Sequence, residues 1–117
     1  PSLETKVTLL NQASSQNLGV VELDSNLYDE FVAKPRNYSM AILLTALDPQ
    51  INFARSWLES GDEPSRLYFG VLDFKNGREV YAKLGLNNAP TLFYFSPTTG
   101  PYAKDVSEPY KYEFNRQ

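Results

Sequence analysis

Pro35-Arg36-Asn37-Tyr38-Ser39-Met40-Ala41-Ile42-Leu43-Leu44-Thr45-Ala46-Leu47-Asp48-Pro49-Gln50 is the stretch whose reading decides the fold. From Met40 to Leu47 its only polar residue is Thr45. No helical start signal precedes the run, and it ends directly in Asp-Pro. A short continuous apolar run between turn residues suits a strand buried on both faces, although periodicity alone also allows a buried helix. A strand of that kind sits in the middle of a sheet. Whatever follows Asp48-Pro49-Gln50 is then delivered at the end of a central strand, where open α/β sheets place their sites.

Working towards the N-terminus, Lys34-Pro35 closes a short helix that Asp24-Ser25-Asn26 caps and that carries Leu27 and Phe31 at i and i+4. Val20-Val21-Glu22-Leu23 reads as a short strand, preceded by a stop at Asn17-Leu18-Gly19. Leu3, Val7 and Leu10 line one face of a first helix, with Ser2 as its candidate N-cap. Towards the C-terminus, the second half of the stretch from Gln50 to Glu59 reads as helical. Arg66–Phe74 is a second strong strand, and Lys75-Asn76-Gly77 is a turn. Val80 and Leu84 mark a short helix over Glu79–Leu84, ended by Gly85. Thr91–Phe95 is a third strong strand. From Tyr102 onward the chain is polar with scattered aromatics and is expected to wrap or fray. Helices and strands therefore alternate, which predicts one α/β domain with several parallel strands.

Composition removes whole classes of chemistry. The chain has no His and no Cys, so it lacks the commonest general base and any thiolate, disulfide or Cys-based zinc site. Asp24 and Asp48 lack the ligand clustering of a calcium loop, and no metal or cofactor is expected. A net charge of −3 without a basic cluster argues against nucleic acid as a partner. No apolar run approaches the roughly 18–20 residues of a membrane helix. Pro1-Ser2-Leu3-Glu4 is not a signal peptide and lacks an initiator Met, as expected of a processed or trimmed end. The absence of Cys leaves the compartment open.

The order of elements, with Asp73 ending a strand and Asn88-Ala89-Pro90-Thr91-Leu92 opening the next, resembles thioredoxin. In that fold the corresponding Pro is cis and lies beside the active-site dithiol. It exposes the backbone of the preceding residue, with which an extended peptide can pair as an added strand. The likeness is closer to one family. Pro35–Met40, Leu44–Gln50, Arg55-Ser56-Trp57, Leu67-Tyr68-Phe69, Val71–Phe74 and Leu86–Thr91 together resemble the lumenal domain of the oligosaccharyltransferase oxidoreductase subunits. These are thioredoxin-like accessory subunits of the endoplasmic-reticulum N-glycosylation complex, among them the tumour-suppressor-candidate and magnesium-transporter proteins.

The resemblance, which runs over roughly 20–101, implies a single thioredoxin-like lumenal domain over residues 1–117. Its sheet would be mixed, with about four to five strands flanked by helices. It implies an accessory subunit of oligosaccharyltransferase in the lumen of the endoplasmic reticulum, with transmembrane helices following this domain. Its partners would be nascent polypeptides and the other subunits of the complex. It would hold polypeptide in a groove and by transient mixed disulfides, so that acceptor sites are glycosylated before they fold. The groove residues it implies here are Gln50, Ile51, Asn52, Ala89, Pro90 and Thr91. Asn37-Tyr38-Ser39 is in addition a candidate N-glycosylation acceptor.

The chain departs from the family at one place. Family members set Cys-x-x-Cys and a helix just after the Pro-Gln segment. Here Asn52 runs directly into Phe53-Ala54-Arg55-Ser56-Trp57, which resembles the end of that helix. About one helix, roughly 11–12 residues, is missing. Either the segment belongs to the intact protein between Asn52 and Phe53, or it has been deleted, or Phe53 and Ser56 occupy the two Cys positions of a redox-dead relative. The first account is the expectation. The alternative function is a redox-inactive peptide-binding or scaffold domain. Asp73 has two readings, a carboxylate that tunes a nearby dithiol or a strand-end turn former.

Overall fold

The computed structural model describes residues 2–16, 19–45, 67–86, 90–101, 103–104 and 109–113. Its elements are α1 (Leu3–Gln16), β1 (Val20–Glu22), α2 (Ser25–Val32), β2 (Ser39–Thr45), β3 (Leu67–Asp73), α3 (Arg78–Leu84), β4 (Thr91–Phe95) and β5 (Tyr110–Glu113). The strands form one sheet in the order β1-β3-β2-β4-β5. β1, β3 and β2 run parallel, whereas β4 pairs antiparallel with β2, and β5 antiparallel with β4. The expected α/β domain with a mixed, helix-flanked sheet is therefore present.

The apolar run became the strand its composition demands. All seven residues of β2 are buried, because both edges are paired and both faces covered. Met40, Ile42 and Leu44 point to one face, where they pack with Val7 and Leu10 of α1, Tyr28 and Phe31 of α2, and Val80 and Tyr81 of α3. Ala41 and Leu43 point to the other, with Val20, Phe69, Val71 and Leu92. The period of two along each strand thus sorts one sequence into two cores.

One expectation fails. The segment after Tyr102 does not simply wrap or fray, because Tyr110–Glu113 is a fifth strand. Tyr110 aligns with Tyr94 and Tyr112 with Leu92, and the rings of Tyr94 and Tyr110 stand 6.4 Å apart. An edge strand with one partner and two charged residues carries little apolar pattern, so its pairing could not be read locally.

The helix ends follow their caps. The Thr5 amide donates to Ser2 Oγ (3.2 Å), and the Leu27 amide donates to Asp24 Oδ1 (2.8 Å). Gly85 ends α3 in the left-handed conformation, φ 68°. The C-terminus of α2 is closed differently. The last turn of α2 contains no basic residue, yet three of its terminal carbonyls find donors from elsewhere in the chain. The Tyr38 hydroxyl donates to Phe31 O (2.6 Å), a terminal guanidinium nitrogen of Arg36 to Val32 O, and Lys6 Nζ to Ala33 O (3.4 Å). Both cations are buried, and they lie at the negative end of the helix dipole.

Burial of the tyrosines has a consequence for pH. Desolvation raises the Tyr28 hydroxyl to about 12, with Asp29 adding to the shift and Arg36 opposing it. Desolvation likewise raises Tyr38 to about 12, against the pull of Arg36. The unfolded chain ionises near the ordinary value of 10.0. A folded pKa above the unfolded one gives stability that is complete below pH 10.0 and is lost as pH rises through about 12. The urea midpoint should fall between pH 10.0 and about 12. Tyr38→Phe should show a shallower fall, from a starting stability lower by about 1 kcal/mol for the lost hydrogen bond. An unchanged slope in that variant would remove Tyr38 from the account.

Candidate functional site

The sheet brings three chain segments to one end. β2 and β3 are parallel and in register from Ser39 opposite Leu67 to Thr45 opposite Asp73, so both deliver their C-terminal ends there. β4 is antiparallel, so its first residue lies at that same end, with Thr91 opposite Leu44. Beyond the ladder the Phe74 amide donates to Thr45 O (3.1 Å), which holds the turn after β3 against the end of β2. This is the position at which an open α/β sheet carries ligands.

Of the six groove residues expected from the sequence, Pro90 and Thr91 are described, and both lie at this end. Pro90 is half-buried, immediately before the strand. Thr91 is 2% exposed and fixed between Leu44 and Glu113. Its side chain is therefore committed to the core, and what it offers is a rigid start for β4. Gln50, Ile51, Asn52 and Ala89 lie outside the described residues, as do Phe53, Ser56, Trp57 and the expected junction between Asn52 and Phe53. The geometry of the Ala89–Pro90 bond also falls outside them. A cis peptide bond is present at Lys34–Pro35, which the sequence reading did not single out.

Asp73 takes the second of its two readings. Its Oδ1 accepts from the Asn76 amide (2.8 Å) and its Oδ2 from Asn76 Nδ2 (3.3 Å), and the Gly77 amide donates to Asp73 O (3.0 Å). The carboxylate builds the turn that leads into α3. Below this turn Tyr81 is buried, and its hydroxyl donates to Leu72 O (3.0 Å), so desolvation pushes its pKa up. On the rim, Phe74 is 44% exposed. Sequence reasoning placed Phe74 at the end of a strand and gave it no role. The available signal was an aromatic residue leading into Lys75-Asn76-Gly77, where a polar residue would cost nothing.

The Pro-Arg-Asn-Tyr-Ser block lies at the opposite end, where β2 begins and β4 finishes. Arg36 is 6% exposed and its guanidinium donates from Nε and Nη2 to Ser96 O (3.2 and 3.0 Å), beside its bond to Val32 O. Its carbon Cζ stands 5.4 Å from the Phe95 ring centre. Burial lowers the pKa of this guanidinium, and the neighbouring Tyr38 and Tyr28 hydroxyls oppose that shift. The Arg36 amide donates to Thr98 Oγ1 (2.7 Å), and Arg36 O accepts from the Thr98 and Thr99 amides (2.7 and 3.0 Å). This block joins α2, β2 and the exit of β4. In the candidate acceptor Asn37-Tyr38-Ser39, Tyr38 and Ser39 are fully buried, and the Tyr94 hydroxyl lies 3.1 Å from Ser39 Oγ.

The arrangement offers a strand end, an amide-bonded turn and aromatic surface, and the chain supplies no thiol or imidazole. Among the described residues no helix is long and apolar enough to cross a membrane.

Comparison with known proteins identifies the family. Residues 8–117 match the model of the OST3 / OST6 family, transporter family. The chain is 32% identical, over 123 residues, to the dolichyl-diphosphooligosaccharide–protein glycosyltransferase subunit MAGT1 of Danio rerio, covering 88% of this chain and 38% of that protein. It is 30% identical over 120 residues to the same subunit of Mus musculus, covering 91% of this chain and 36% of that protein. The chain thus spans less than two fifths of the length of these relatives. Among solved structures it resembles the J-Trx1 fragment of ERdj5, with TM-score 0.56 and 14% identity over 88% of this chain and 45% of that one. It also resembles the Trx4 domain of ERdj5, with TM-score 0.53 and 15% identity over 84% of this chain and 83% of that one. At such identities the structural likeness bears on the fold, which is thioredoxin-like.

Proposed function

The chain belongs to the OST3 / OST6 family, and from that premise we propose that it is the lumenal thioredoxin-like domain of an oligosaccharyltransferase accessory subunit. In this reading it works in the endoplasmic reticulum beside the other subunits of the complex, within a protein anchored in the membrane outside this domain. It holds extended nascent polypeptide so that acceptor asparagines stay available for glycosylation. The observation that carries the reading is the pairing of Thr91 with Leu44, which sets Pro90 beside the C-terminal end of the central strand. A client strand can add there to the backbone preceding Pro90, in the manner of β-augmentation. Gln50, Ile51 and Asn52 would complete the groove from the β2 side.

Holding by this sequence is non-covalent, because a mixed disulfide needs a thiolate and the chain has none. A covalent arm requires a Cys-x-x-Cys segment between Asn52 and Phe53 in the intact protein. Two observations support such a segment. The family pattern breaks at that point, and the match to the Danio rerio subunit runs over 123 residues while using only 88% of a 117-residue chain. A mass of the intact purified protein above 13.3 kDa by about a helix of residues is the expected result. A mass of 13.3 kDa leaves a purely non-covalent holder.

Peptide binding tests the groove. A fluorescent extended peptide with an Asn-x-Thr acceptor should bind under reducing conditions, and Pro90→Ala should weaken it about tenfold, ~1.4 kcal/mol. If wild type and variant both fail to bind, the domain is a scaffold and this reading is lost.

A further inference from the structure

Phe74 is the most exposed phenylalanine among the described residues, and it is not loosely held. Its amide is bonded to Thr45 O, so its backbone sits at the same end of the sheet as Pro90. The Tyr81 ring meets it edge-on, with centroids 5.2 Å apart and planes at 89°. Tyr81 is in turn fixed by burial and by its bond to Leu72 O. The Arg78 guanidinium lies over the Phe74 ring, with Cζ 5.6 Å from the centroid. A ring held in this way and still 44% exposed is an ordered apolar surface facing water.

The charges around it are unbalanced. Arg78 is exposed and forms no ion pair among the described residues, and Lys75 beside it is exposed as well. The neighbouring carboxylates have hydrogen-bond partners of their own, and Glu79, whose pKa is lowered first by its Ser25 hydrogen bond and less by the Arg78 charge, forms no ion pair with Arg78. Asp73 is bonded to Asn76, and Glu79 Oε2 accepts from Ser25 Oγ (2.7 Å). The rim therefore presents an exposed guanidinium without an ion pair among the described residues above an aromatic ring, and a carboxylate adjoining an apolar side chain complements both.

We propose that Phe74 and Arg78 form a second contact point for the client polypeptide, one that selects an acidic residue adjacent to an aromatic one in the segment flanking that held at Pro90. This rests on the peptide-holding reading above. The carboxylate pairs with the Arg78 guanidinium, and the aromatic side chain covers the free part of the Phe74 ring. Ring and guanidinium are already placed, so little ordering cost falls on the protein when the peptide binds.

Three fluorescent peptides that differ only in that pair, Asp-Phe, Lys-Phe and Asp-Ala, test the proposal on the whole chain. The Asp-Phe peptide should bind most tightly. Arg78→Glu should weaken it by about three- to tenfold and should bring the Lys-Phe peptide up by a similar factor, the reciprocal swap that only a direct charge contact produces. Phe74→Ala should reduce the preference for Asp-Phe over Asp-Ala while lowering the thermal midpoint only by the lost Tyr81 contact. Equal affinities for the three peptides, with Pro90→Ala still weakening all of them, would overturn the proposal and leave the groove intact. Absence of binding by the wild type to every peptide would instead remove the peptide-holding reading, and the proposal with it. Self-association of the chain that disappears in Phe74→Ala would also overturn it, because the rim would then be an interface between copies.

Discussion

Arg36→Met should lower the stability of the domain by about 2–4 kcal/mol, read as a shift in the urea midpoint at unchanged slope. Two carbonyls, the part-buried Val32 O and the buried Ser96 O, lose their donors, and an orphaned buried acceptor costs roughly 1–3 kcal/mol. Methionine keeps much of the stem packing against Phe95 and removes the cost of burying a cation, so the net falls below the simple sum. Domains of this size are held by roughly 5–15 kcal/mol, so the loss is a large share of the whole. Arg36→Lys should recover only part of it. One ammonium cannot serve α2 and the β4 exit from the two arms of a planar fork. If Arg36→Met is as stable as wild type, water reaches those carbonyls and the guanidinium is not the joint between them.

The second large effect is expected at Gly77, the residue before α3. Its φ of −124° is open to any residue, so the requirement is one of space. A Cβ there would lie 2.6 Å from both Cγ and Cδ1 of Leu72 and 2.8 Å from its Cδ2. Leu72 is fully buried on the face shared with Tyr81 and Val80, and it has nowhere to go. Gly77→Ala should therefore cost about 1–3 kcal/mol through overpacking, and Gly77→Val more. The origin is testable by a double-mutant cycle. In a Leu72→Ala background, itself destabilised by about 2–5 kcal/mol, the alanine at position 77 should cost almost nothing. Additive losses would place the effect in the turn backbone instead. Because the same turn carries Phe74, the Gly77 variants should also weaken peptide binding at the rim.

These two residues differ in how far they could be read in advance. Gly77 was visible as the end of Lys75-Asn76-Gly77, a turn signal, but its neighbour in space, Leu72, is a strand residue whose inward direction only the sheet defines. Arg36 stood in a block whose order of residues identified the family, yet nothing in Pro35-Arg36-Asn37 says that the guanidinium turns inward to the end of α2. A charged residue beside a proline is ordinarily solvated. The candidate site divides the same way. The place of Pro90 and Thr91 at the start of a strand was legible, their groove role being what the family resemblance implies. Phe74 was not, since its meaning comes from Tyr81 and Arg78 on the next helix.

The sequence by itself determined the alternation of elements, the burial of the central strand and the family. The first two depend on period, caps and turn residues, all local in the chain, and the family on its resemblance in the order of residue blocks. It also determined that no thiol chemistry is available to these 117 residues. Only the tertiary structure decided the strand order, the reversal of β4 that brings Thr91 back to the end of β2, and the recruitment of Tyr110–Glu113 as an edge strand. It also decided where the buried cations go. Lys6 and Arg36 are separated by most of two helices in sequence, and both donate to carbonyls at the part-buried C-terminal end of α2.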